Sequence, residues 1–81
     1  DYAQAYFMLG TALKQKGDLD DAIAALKESI RLKDDDPGPW NTLAQILRSR
    51  GDVEGSKAAF AKGAEIKARK EAEQAKMLQS R

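Results

Sequence analysis

Apolar residues in this chain recur three and four positions apart, the spacing that places side chains on one face of a helix. Tyr6, Leu9, Gly10 and Leu13 form the first such stripe and predict a helix over roughly residues 2–16. Gly17 ends it, since glycine readily takes the left-handed conformation that follows many helix termini. Asp18 then serves as N-cap of a second helix, its carboxylate favoured by the positive end of the dipole. That helix turns Ala22, Ile23, Leu26, Ile30 and Leu32 inward and frays into Asp34, Asp35 and Asp36. Pro37 and Pro39 cannot sit in a helix interior but suit a first turn. A third helix therefore starts near Pro39 and runs to about Arg50. Gly51 and Asp52 repeat the turn of Gly17 and Asp18, and a fourth helix follows.

From Val53 to Ser80 there is no proline and no polar turn cluster. Where the first half has its three aspartates, the second has Ala68, Arg69 and Lys70, all helix formers. Glu71 lies near Lys67, and Glu73 near Arg69, Lys70 and Lys76, at spacings that support a helix. The fourth helix is thus expected to continue to about Leu78, with a break near Lys70 and a separate capping helix as the alternative. Its apolar face is thin: Ala64, Ala68, Ala72, Ala75, Met77 and Leu78.

The two halves are copies in register. Thirty-four residues after Tyr6, Leu9, Gly10, Leu13, Gly17 and Asp18 stand Trp40, Leu43, Ala44, Leu47, Gly51 and Asp52. Trp40, the one tryptophan, falls in a first turn directly after the strongest break. There a large aromatic can lie across the neighbouring helix and close the wedge between the two.

Composition narrows the chemistry. The 81 residues allow one small domain, 33% of them charged yet nearly balanced at a formal +1. That is no basic footprint for nucleic acid, and no apolar run approaches the length of a membrane span. Cysteine and histidine are absent, which removes disulfides, thiolate sites, the commonest general base and the commonest metal ligand. Asp34, Asp35 and Asp36 lack the alternating spacing and distal glutamate of a calcium loop. The glycines form no phosphate cradle, and no serine has a histidine to activate it. No cofactor is implied, and an enzyme is the weakest functional class. The chain opens at Asp1 without a signal-like stretch and reads as a piece of something longer, so the compartment stays unread.

A 34-residue period of paired helices resembles the tetratricopeptide repeat. The first unit supplies Tyr6, Leu9, Gly10, Leu13, Ala22, Leu26 and Ser29 to that family's pattern. The second supplies Trp40, Leu43, Ala44, Leu47, Ser56, Phe60 and Gly63. Gly63 departs from the usual alanine, the closing proline is displaced to Pro37 and Pro39, and Gln74 stands where a third unit would place an aromatic. The resemblance covers about residues 2–68. It divides the chain into a unit at 1–36, a second at 37–68, and a C-terminal helical extension or capping helix at 69–81. It implies an all-α, right-handed superhelix of helical hairpins with a long C-terminal helix. Its first helices would line a concave groove that binds a protein or peptide partner.

By the family pattern the groove positions are Gln4, Phe7, Thr11 and Lys14, with Met8 beside them, and Asn41, Thr42, Gln45 and Arg48. Asn41 and Gln45 share a helix face, and amides there can hold an extended peptide's backbone. Lys14 and Arg48 form a short basic column suited to an acidic side chain or a C-terminal carboxylate. The bland reading is that these four are ordinary solvated helix residues. Of Phe7 and Met8, one must face away from the hairpin core, as a groove anchor or, the favoured reading, as a surface that packed on a preceding unit. Some family members grip the acidic tails of heat-shock chaperones with a lysine, asparagine and arginine clamp. The matching positions here hold Phe7, Thr11, Thr42, Ala72 and Lys76, and only Lys76 keeps the charge, which argues against that ligand.

The leading expectation is therefore an interaction scaffold that takes an extended peptide or a helix in its groove. The alternative is a structural spacer or self-associating segment of a longer array. Two units fall below the roughly three that a solenoid usually needs. Association through Tyr2, Phe7 or the alanine-lined helix is accordingly expected.

Overall fold

Two glycines punctuate the chain where the repeat requires it. Gly17 has φ 94° and Gly51 φ 87°, both left-handed. In each case two backbone bonds close the helix behind the glycine: Asp18 N–H to the Leu13 carbonyl (2.9 Å) with Gly17 N–H to Lys14, and Asp52 N–H to Leu47 (2.9 Å) with Gly51 N–H to Arg48. Such paired bonds satisfy carbonyls that a helix end otherwise leaves open.

The computed structural model describes residues 1–79. Four helices follow in order: α1 (Tyr2–Lys16), α2 (Leu19–Leu32), α3 (Pro37–Ser49) and α4 (Val53–Gln79). Helix α1 packs along α2 and α3 along α4, making two hairpins, and α2 packs on α3 to join them. The fold is all-α. Residues 80 and 81, the end of the expected extension, lie outside the described residues.

The core lies at the junction of the hairpins. Ala22, Leu26, Leu43 and Ile46 form its buried centre, with Phe7, Leu13, Leu19, Ile23, Ile30 and Leu47 packed around them. Burying each large aliphatic there contributes about 1.5–3 kcal/mol. Gly10 lets α1 and α2 approach: a β-carbon on it would lie 2.7 Å from Leu26 Cγ. Ser29, also buried, donates its hydroxyl to the Ala3 carbonyl at 2.7 Å and ties the end of α2 to the start of α1.

Four sequence expectations need correction. Leu32 points outward, 41% exposed, because it follows Ile30 by two residues and so lies far around the helix from the buried stripe. Helix α3 starts at Pro37, two residues earlier than expected, and ends at Ser49. Its N-cap is Asp36, whose carboxylate accepts from Gly38 N–H at 2.9 Å, so this aspartate begins α3 instead of ending α2. Asp18 makes no side-chain cap bond; its carboxylate faces Lys16 Nζ at 3.6 Å. Asp52, its counterpart, does cap, accepting from Gly55 N–H at 2.9 Å. Asp1 caps α1 in the same way as Asp52 caps α4, accepting from Gln4 N–H at 2.7 Å.

The α1 stripe is also split. Gly10 is buried and Leu13 half-buried, while Leu9 is 48% exposed and Tyr6 sits at the exposed margin. Trp40 is half-buried. Its indole Nε1 is shut off from solvent, with no hydrogen-bond partner among the described residues. Beyond Ile66 the side chains of α4 up to Gln79 are exposed.

Candidate groove and its flank

The nine groove positions from the sequence, Met8 among them, fall on α1 and α3 and differ in what they offer. Lys14 Nζ donates to Gln45 Oε1 at 2.5 Å, a bond across 31 residues that ties the first helix of one hairpin to the first helix of the next. Gln45 keeps its amide N–H groups for other partners, and the ammonium keeps two donors. Thr11 donates its hydroxyl to the Phe7 carbonyl at 3.0 Å, leaving its oxygen lone pairs to accept. Gln4 is exposed and Thr42 half-buried.

Phe7 is half-buried, its ring edge 2.9 Å from where a β-carbon on Gly38 would stand. It therefore packs forward, onto the first turn of α3 and the core, and Met8 is the neighbour that faces out. Asn41, though exposed overall, places Oδ1 2.5 Å from where a β-carbon of Gly63 would be. The amide thus occupies the space that an alanine methyl at residue 63 would take.

Arg48 lies apart from the Lys14–Gln45 pair. With Val53, Ser56, Lys57 and Phe60 it lines a mainly apolar hollow of about 280 Å³ on the flank of α3 and α4. That is below the range of typical small-molecule pockets and better suited to side chains of another helix. Of the expected basic column, Lys14 bonds Gln45 and Arg48 lines the flank hollow. Sequence reasoning placed Phe60 as a packing residue only. The signal of its exposure was available, since Leu26 stands 34 residues before it and is covered by the helix that follows, whereas among the described residues α4 has no helix after it.

The charge pair with a shifted titration sits elsewhere. On α2, hydrogen bonds from the Arg31 guanidinium hold the Glu28 carboxyl below its ordinary value, with Nε donating at 3.1 Å, and the same contacts raise Arg31. Ion pairs also join Arg50 to Asp20 across the hairpin junction and Lys70 to Asp35 at 3.9 Å. Among the described residues no group of three Asp, Glu, His or Cys side chains could hold a metal ion. No helix there is long and apolar enough to cross a membrane.

No curated protein matches the chain. The family model of the tetratricopeptide repeat matches it twice, over residues 3–36 and 38–70, and each match spans one of the helical hairpins. Repeats of this kind generally mediate protein–protein interaction and are typically not enzymes. With two matches in tandem over most of its length, and the hairpins, turns and close helix approach that the pattern requires, the chain belongs to the tetratricopeptide-repeat family.

Proposed function

We propose that the α1 and α3 faces carrying Gln4, Thr11, Lys14, Asn41, Thr42, Gln45 and Arg48 bind an extended peptide or a helix of a protein partner. The observation that carries this reading is the Lys14–Gln45 bond. It joins the two first helices into one polar surface while leaving donors on both residues. Phe7 underlies that surface as the wedge between hairpins, so its contribution is to hold the two helices in place. Within this reading the units are 1–36 and 37–68, and the extension from residue 69 supplies no groove position.

Selection from a peptide library on this chain, beside a variant carrying Asn41→Ala, Gln45→Ala and Arg48→Ala, tests the proposal. Peptides enriched by the parent chain and lost by the variant support a groove reader. Acidic residues in those peptides would assign Lys14 and Arg48 their charge role. No enrichment by the folded protein overturns it.

A further inference from the structure

The junction between hairpins is a template that shifts forward by 34 residues. Val53, Ser56, Phe60 and Ala64 of α4 stand where Leu19, Ala22, Leu26 and Ile30 of α2 stand. Leu26 is 0% exposed because α3 covers it; Phe60 is 38% exposed in the flank hollow. A third unit would begin its first helix near residue 71, but α4 runs straight through to Gln79. None of the described residues therefore covers this face. On α1 the reverse holds. Leu9 and Ala12 stand where Leu43 and Ile46 stand on α3, and both are exposed.

We propose that α1 of a second copy of this chain docks on α4 in the register in which α3 docks on α2. Shifting the template tests the fit pair by pair. In the buried junction cluster, Leu26 and Ile46 become Phe60 and Ala12 of the second copy. One side grows as the other shrinks, and such volume-conserving exchange is what a packed contact tolerates. The junction ion pair of Asp20 and Arg50 becomes Glu54 and Lys16 of the second copy: both residues differ, yet the signs are kept. The Lys14–Gln45 bond becomes Arg48 facing Thr11 of the second copy, a donor against free lone pairs. The Phe7–Gly38 contact becomes Asn41 facing Gln4, two amides able to bond each other.

Such a contact is head to tail. Each copy offers one α1 and one α4 face, so association is open-ended and does not stop at a dimer. The contact also engages Arg48, Asn41, Gln4 and Thr11 of the groove, but Ala64→Arg blocks it without altering any groove side chain, so peptide selection on that variant reads the groove apart from association.

Sedimentation velocity on three chains tests it: the parent, Ala12→Arg to block the α1 face, and Ala64→Arg to block the α4 face. Both positions are exposed and arginine is a good helix former, so circular dichroism should show parental helicity. The parent is expected to grow in mass with concentration. Each variant alone should associate about tenfold more weakly or worse, because it lacks one of the two faces. Mixed one to one, the variants should form a dimer that grows no further, since only one unblocked α1 meets one unblocked α4. Leu9→Lys and Phe60→Lys should repeat the pattern. A parent that stays monomeric to about millimolar concentration overturns the proposal. So does a single variant that associates as the parent does, which would mean a symmetric contact, or a mixture that stays monomeric.

Discussion

Leu26 Cγ lies 2.7 Å from the point where a β-carbon on Gly10 would stand, and Leu26 is wholly buried at the junction of the two hairpins. The first helix of each unit can approach the second so closely only because the residue in between is small. In the second unit Ala44 occupies the same position and is itself fully buried.

Gly10→Ala should therefore destabilise the protein, although alanine is favoured over glycine in a helix by about 1 kcal/mol. Leu26 cannot swing away, because Leu43 and Ile46 hold it from the other side, and overpacking costs about 1–3 kcal/mol. A lowered urea midpoint with an unchanged slope is the expected outcome. A raised midpoint would show that the helices separate freely.

Asp52 and Gly55 should show little coupling. A β-carbon at residue 55 would approach the carboxylate that caps α4, but that carboxylate is the mobile end of its side chain, and Asp1 caps over Gln4 with a β-carbon in the same place. Gly55→Ala should therefore keep the cap and stabilise by about 1 kcal/mol in helix propensity. With the cap removed by Asp52→Ala, which itself costs about 1 kcal/mol, the same change should stabilise by about the same amount. Four chains in a double-mutant cycle, unfolded in urea, give the coupling directly.

Gly51 has φ 87° and no atom within 4 Å of an added β-carbon, so a substitution there acts through the backbone alone. Gly51→Ala should cost about 1–2 kcal/mol. D-alanine at the same position favours this conformation and should stabilise by about 0.4–1 kcal/mol, by restricting the unfolded chain. Thermal unfolding of chemically synthesised chains distinguishes the two.

The ion pair of Glu28 with Arg31 makes stability depend on pH. The Glu28 carboxyl is lowered in the folded state by hydrogen bonds from Arg31. The stability this contributes is present above the unfolded carboxylate value and is lost as pH falls through the folded one, which lies below it. Glu28→Gln should flatten the acid limb of the melting curve slightly and leave stability near pH 7 little changed, since both partners are solvent-exposed. A large drop at pH 7 would mean that the pair does more than the exposed geometry allows.

Much of this molecule was legible in its residues taken locally. Leu and Ala at helical spacing, Gly17 and Gly51 at the turns, and the 34-residue echo of Tyr6 in Trp40 determine four helices and their pairing into hairpins. These are short-range matters of propensity, φ preference and capping. Even there Asp36, which follows the end of α2 in sequence, proves to cap α3, because an aspartate before proline is ambiguous until the chain direction beyond it is known. Which face of each helix is covered could not be read the same way. Leu9 and Leu43 are the same residue at the same position of the repeat, yet one is 48% exposed and the other 5%. Phe60 stands out in a hollow where Leu26 is sealed. Lys14 meets Gln45 only because two helices far apart in the chain lie side by side. Burial depends on what lies beyond a helix, a long-range property set when hairpin packs on hairpin, and an identical local pattern is blind to it.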